Sequence, residues 1–279
     1  MKNNFFLLIL ILFGNSYNII HAQGDLLIEP HRVVFEKNQV KKVITLINTG
    51  DKTATYSVSF VQRRMNEDGS FTAITETDSL NRFADPFLRI YPRSVTLSGR
   101  EGQTVMLQRR RNSIMEPGEY RSHLYFRAAA EEKTKPLENT ETKADENSFS
   151  VNITPIYGIS IPIIIRSGEV NALATLSDLK ILNLQEPEIS FTLNRKGNIS
   201  IYGDFTVEYF PVKGEPFIVG RQNGVAIYTT INKRYISIKL DKTSEMDLSK
   251  GLIKISYIGR AGADVKEVYY ATESLLLER

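Results

Sequence analysis

From Phe149 to Ile165 the chain repeats with period two. Phe149, Val151, Ile153, Pro155, Tyr157, Ile159, Ile161, Ile163 and Ile165 fall on one phase, and Ser150, Asn152, Thr154, Gly158 and Ser160 on the other. Only an extended strand, whose successive side chains point to opposite faces, sorts residues in this way. Strands usually run about five or six residues, so one of this length is unusual. The rest of the chain follows the same rule in shorter pieces: Val33-Val34-Phe35, Val43 to Ile47, Tyr56 to Val61, Phe87 to Ile90, Val95 to Leu97, Val105 to Leu107 and His123 to Phe126. Turn residues separate them at Asn48 to Asp51, Ser98-Gly99, Glu101-Gly102 and Glu116-Pro117-Gly118. Helical periodicity is scarce, and short β-branched and aromatic runs at such spacing predict a β-sandwich.

After the long strand, Arg166 to Glu169 reads as a hinge. A second set of runs follows: Leu179 to Leu182, Ile189 to Leu193, Phe205 to Phe210, Val225 to Thr230, Tyr235 to Leu240, Leu252 to Ile258 and Val268 to Leu277. The expectation is an all-β chain of two sandwiches in series, residues 23–167 and 168–279, with no close repeat between them. Glu131 to Ser148 interrupts the first with a polar, charged stretch that has almost nothing to bury. Such a stretch cannot offset its ordering entropy and is expected to be a mobile loop.

The N-terminus points to export. Lys2 precedes an unbroken apolar run, Phe5 to Phe13. Its length lies within the roughly 7–15 residues of a signal-peptide core and well short of the ~20 that span a bilayer. Cleavage after Ala22 would remove residues 1–22. An uncleaved anchor is the alternative, disfavoured by the shortness of the run. No later stretch is long and apolar enough for membrane insertion. The chain has 279 residues and no cysteine, so disulfides cannot staple it and burial must hold it together. The same absence removes a lipid-anchoring thiol.

A formal charge of +3, with acidic and basic residues interspersed, gives no support to a nucleic-acid partner. Arg109-Arg110-Arg111 reads first as a solvated strand end and second as an anion site. Enzyme signatures are lacking: there is no Gly-x-Ser-x-Gly, no phosphate-binding glycine loop, no His-Glu-x-x-His and no thiol. Only His31 and His123 survive processing, too few for a histidine metal site without cysteine. No cofactor and no catalytic group is expected.

In order along the chain, several segments resemble the periplasmic pilus chaperones, the PapD-like family. They are Leu26 to Phe35 (LLIEPHRVVF), Val43 to Gly50 (VITLINTG), Phe87 to Gln108, Glu116 to Phe126 (EPGEYRSHLYF) and Tyr157 to Arg166 (YGISIPIIIR). The resemblance covers the first domain; the second agrees in size and β-content. It implies immunoglobulin-like sandwiches set at an angle, a periplasmic location and a protein client, a pilus or surface-fibre subunit. An outer-membrane usher is the further partner that such an assignment brings with it. It also implies that Arg32 lies in the cleft between the domains and takes the client's C-terminal carboxylate, which a planar guanidinium fork suits. The long strand would be lent to the incomplete subunit through Phe149, Val151, Ile153 and Tyr157, with Ile159 to Ile165 kept in this protein's own core. Chaperone–pilin complementation is a standard example of such strand addition. The alternative is that the whole odd-numbered face is core.

Arg166 matches the family's hinge arginine. Two positions depart from the pattern. The lysine near the end of the long strand is Pro162 here, and the acidic residue before the serine of the Pro-then-Arg strand is Arg121, which puts the usual acidic partner of Arg166 in doubt. The competing function is a structural or adhesive envelope protein without a chaperone role. An elbow with Arg32 facing the cleft favours the chaperone; collinear domains with Arg32 on an outer face favour the other.

Overall fold

The computed structural model describes residues 25–36, 39–74, 82–111, 114–129, 156–244, 246–260 and 270–278. Residues 1–22, the segment 131–148, and Phe149, Val151 and Ile153 lie outside them. Among the described residues the only helical piece is a 3-10 turn at Asp85–Phe87, and no helix is long and apolar enough to cross a membrane.

The first sandwich is built from β1 (Leu26–Glu29), β2 (Val33–Phe35), β3 (Lys41–Asn48), β4 (Ala54–Val61), β5 (Arg63–Met65), β6 (Phe71–Ala73), β7 (Leu88–Tyr91), β8 (Ser94–Leu97), β9 (Gly102–Arg109), β10 (Gly118–Ala128) and β11 (Gly158–Ser167). One sheet runs β1-β3-β9-β7 and the facing one β2-β11-β10-β4-β8, an immunoglobulin-like order. The chain changes sheets between β1 and β2 at Pro30, and between β7 and β8 at Pro92. A proline has no N–H to give a ladder, so both positions suit a strand that must leave its sheet. Between the sheets lie Phe35, Ile44, Leu46, Leu97, Val105, Leu107, Leu124, Ile163 and Ile165, all fully buried.

The second sandwich uses β12 (Ala172–Leu182), β13 (Glu188–Gly197), β14 (Ile201–Phe210), β15 (Phe217–Ile227), β16 (Lys233–Lys239), β17 (Lys250–Gly259) and β18 (Tyr270–Glu278). Its sheets are β12-β13-β16 and β15-β14-β17-β18. Phe191, Phe205 and Tyr257 form its centre, with ring centroids 5.0 and 4.6 Å apart.

Two strands begin earlier than the sequence suggested. The first half of β12 carries only Ala174 and Leu176 inward, then bulges between Ser177 and Lys180 with Asp178 at φ 59°. In β15, Gly220, Arg221 and Gln222 pair with Val207, Thr206 and Phe205 of β14 before the ladder shifts register at Asn223-Gly224. The hairpin β5–β6 was not expected at all.

That hairpin joins the two sandwiches. Met65 packs with Ile164, Ala226 and Tyr228 in a third buried cluster, drawing on both halves of the chain. Tyr235 N–H donates to the Glu67 carbonyl at 2.7 Å, and Lys233 Nζ lies 3.6 Å from a Glu67 oxygen. Gly69, at φ 85°, has no room for a Cβ against the Arg234 guanidinium, so the tip of the hairpin requires glycine. On the other side of the junction, Asn198 pins the hinge: its Nδ2 donates to the Glu169 carbonyl at 2.9 Å, and Asn171 N–H donates to its Oδ1 at 2.8 Å.

Candidate functional site

Period two decides which groups meet at the junction. In β10, Tyr120, Leu124 and Phe126 enter the first core. The opposite phase carries Glu119, Arg121 and His123, all buried. Across the ladder these stand beside Arg166, Ile164 and Pro162 of β11. The parallel partner β2 adds Val34 beside Ile164, and Arg32 and Glu36 share the phase of Val34. Arg32, Glu119, Arg121 and Arg166 of this row meet Ser200, Tyr202 or Tyr228 of the second sandwich.

Arg32 lies at this junction. Its Nη1 donates to Tyr228 Oη at 3.2 Å and its Nη2 to Ser200 Oγ at 3.0 Å. The guanidinium lies 4.8 Å from the Tyr202 ring centre and 5.4 Å from that of Tyr228. Stacking of this kind contributes about 0.5–2 kcal/mol, the more so where water is excluded. Among the described residues no carboxylate pairs with Arg32. A guanidinium carries five N–H donors in a fixed fork, so the two protein bonds leave capacity for an anion.

Arg166 is where the sequence reading needs correcting. Its acidic partner is present, supplied by two other positions. Nη1 donates to Glu36 Oε1 at 2.7 Å, and Nε stands 3.7 Å from Glu119 Oε2. Glu119 lies two residues before Arg121 on the same strand phase, and that spacing was the signal in the sequence. Glu119 Oε2 also accepts from the Ser200 N–H at 2.9 Å and the Ser200 hydroxyl at 2.7 Å. Arg166 Nη2 reaches the Ser200 carbonyl at 3.2 Å. One serine of the second domain is thus gripped by an ion pair of the first. Ser200, Tyr202 and Tyr228 carry no sequence signal of their own, because only the docking of the two sandwiches gives them a partner.

Behind Arg32, Arg121 is buried with its guanidinium 3.9 Å from the centre of the Tyr228 ring. Its Nη2 donates to the Arg63 carbonyl at 3.2 Å, and its Nη1 has no partner. Burial lowers its pKa, with Arg32 lowering it further and Tyr228 and Glu119 acting in the opposite sense. His123 stands two residues on, its ring edge-on to Phe71 at 5.5 Å. Burial first, and then Arg121, Arg63 and Arg32, lower its pKa from 6.5 to about 3, so it is neutral at ordinary pH.

That shift sets a pH dependence. The folded-state pKa is below the unfolded one, so neutral His123 stabilises fully above about pH 6.5, and this contribution disappears as pH falls from 6.5 towards 3. Each pKa unit is about 1.4 kcal/mol, which makes the window several kcal/mol deep. The His123→Gln variant, followed by urea unfolding from pH 7 to pH 4, is expected to lose less stability across that range than the parent. Equal slopes would mean that His123 is not held neutral.

The predicted donor face divides between exposed and buried positions. Tyr157 is exposed, and its carbonyl accepts from the Ala128 N–H at 3.0 Å, so the pairing with β10 continues past the end of β11. Ile161, Ile163 and Ile165 are core, as expected, but Ile159 is 38% exposed and leaves that group. β10 runs alongside all of β11, while β2 pairs it over Ile163 to Ile165. Over Gly158 to Pro162 the other edge of β11 has no strand partner among the described residues.

Arg110 and Arg111 are exposed beyond the end of β9, with Arg110 Nε donating to the Leu88 carbonyl at 3.3 Å. Together with Arg89 and Gln108 they line an open concavity of about 490 Å3. Among the described residues no group of three or more His, Cys, Asp or Glu side chains could hold a metal ion.

No protein-family model matches the chain, and no curated protein matches it in sequence. Among solved structures it is similar to the YadV chaperone, with 11% identity, 90% of this chain and 100% of that one covered, and a TM-score of 0.45. It is also similar to the CsuC–CsuE chaperone–tip adhesion subunit pre-assembly complex from the archaic chaperone-usher Csu pili of Acinetobacter baumannii, with 14% identity, coverage of 88% and 97%, and a TM-score of 0.45. The E. coli chaperone DraB gives 12% identity, coverage of 91% and 95%, and a TM-score of 0.42. Likeness at this level decides neither a client nor a residue's role.

Proposed function

We propose that the protein is a divergent PapD-like chaperone of the periplasm. It would hold an incomplete surface-fibre subunit by strand addition along β11 and by capture of the subunit's C-terminal carboxylate at Arg32. The observation that carries this reading is the exposed run of the long strand. Its apolar phase is core at Ile161, Ile163 and Ile165, then continues as exposed Ile159 and Tyr157 along an edge that no strand pairs among the described residues. An open, apolar edge is a template for another chain, and natural proteins normally blunt such edges. In the sequence the same phase runs back through Ile153 and Val151 to Phe149.

Arg32 supports the reading independently. It lies between the domains, without a carboxylate partner among the described residues, rather than on an outer face. This favours the chaperone over a structural or adhesive envelope protein. Whether an usher receives the complex is a further part of the proposal.

The test is co-purification from the native periplasm, identification of the bound polypeptide and measurement of its affinity. Arg32→Ala is expected to weaken binding about tenfold to more than a hundredfold, because a charge-assisted hydrogen bond contributes about 1.5–3 kcal/mol. Melting should fall by only a few degrees. Arg32→Lys should rescue binding in part, since an ammonium has no bidentate fork. Unchanged affinity in Arg32→Ala would exclude carboxylate capture at this residue.

A further inference from the structure

The junction holds more positive charge than it balances. Arg32, Arg63, Arg121 and Arg166 converge there, and among the described residues the carboxylates that pair with any of them here are Glu36 and Glu119. Glu36 and one oxygen of Glu119 are engaged by Arg166 and, for Glu119, by Ser200, while Glu119 Oε1 is buried without a partner. Unpartnered buried nitrogens gather at the same place: Arg63 Nε, Arg121 Nη1 and His123 Nδ1. Removing a cation from water costs several kcal/mol unless a counter-charge and further hydrogen bonds compensate. Arg121 has one carbonyl and one aromatic face. That ring is shared: the Tyr228 hydroxyl accepts from Arg32 while its face covers Arg121.

We infer that Arg121 is a positioning residue for anion capture. Through Tyr228 and its buried charge, it makes the cleft at Arg32 selective for a polypeptide ending in a free carboxylate. Its side chain is almost wholly buried, so it acts through the field and through the ring rather than by touching the client. Burial first, and then the charges of Arg121, Arg63 and Arg32, hold His123 neutral beside it. The inference rests on the proposed carboxylate capture at Arg32.

The experiment uses two synthetic peptides of alternating valine and threonine with a serine-rich N-terminal tail, one ending in a free carboxylate and one in a carboxamide. Calorimetry gives the ratio of their affinities for the full protein, for Arg121→Gln and for Arg121→Lys. Gln keeps a donor for the Arg63 carbonyl and removes the charge. The parent should prefer the carboxylate. Arg121→Gln should reduce that preference about three- to tenfold, as expected for a charge removed at close range in a partly screened site, with carboxamide affinity unchanged. Arg121→Lys should keep most of it. Should Arg121→Gln not fold, Arg121→Met makes the same neutral test, because apolar replacement of a buried ion is often tolerated. Equal losses for both peptides would reduce Arg121 to a packing role and overturn the inference. Preference intact in the neutral variant but lost in Arg32→Ala would overturn it while leaving capture at Arg32 standing. A parent protein that binds both peptides alike, or neither, would overturn the carboxylate-capture reading itself.

Discussion

Glu119→Ala is expected to destabilise the protein by about 3–5 kcal/mol, the usual cost of removing one partner from a buried ion pair. The Glu119 side chain is 0% exposed, and it satisfies the N–H and hydroxyl of Ser200 as well as flanking Arg166. Its loss leaves a buried backbone donor without an acceptor and leaves the partly buried Arg166 to Glu36 alone. Much of the effect should fall on the coupling between the sandwiches, so that urea unfolding changes from one transition towards two. Glu119→Gln keeps an acceptor for Ser200 while removing the charge, and should cost less. Glu36→Ala should cost only about 1 kcal/mol, because that carboxylate is nearer solvent. A loss below about 1 kcal/mol for Glu119→Ala would mean that the hairpin β5–β6 and the Met65 cluster, not this ion pair, hold the two halves together.

How legible this was in the sequence depended on what each residue needed. Alternation alone identifies Ile161, Ile163 and Ile165 as a buried face, because a strand's phase is local information. It does not say how far along the strand the core reaches, so Ile159 reads as core although it is 38% exposed. Arg32 was legible through the segment LLIEPHRVVF, but its partners Ser200, Tyr202 and Tyr228 were not. They come from turns and strands more than 160 positions away in sequence, as the Arg32–Ser200 separation of 168 illustrates. Position-by-position matching also misled: with Arg121 in the acidic residue's place, Arg166 looked unpaired. A physical question would have found Glu119, since a charged residue two positions away on a strand shares the same face. The hairpin β5–β6 escaped because three-residue strands of RRM and FTA have no periodicity to read.

The largest contrast is expected between two isoleucines four residues apart. Ile163 is fully buried in the first core, and Ile163→Asp places a carboxylate there with no partner. That costs several kcal/mol for the ion on top of the lost apolar contact. Domains are stable by only about 5–15 kcal/mol, so the first sandwich should fail to fold cooperatively, with loss of near-ultraviolet dichroism and of a sharp thermal transition. Ile159 has the same phase and the same neighbour strand, opposite Phe126 in the ladder, but it is 38% exposed. Ile159→Asp should therefore leave melting within a few degrees of the parent. Under the proposed function it should nevertheless weaken client binding, because a charge would then stand on the face that must enter the client's apolar groove. If Ile159→Asp unfolds the domain as Ile163→Asp does, the exposed phase belongs to this protein's own core and the strand has no free face to lend. If it folds and still holds the client as tightly as the parent, strand addition begins elsewhere on the molecule.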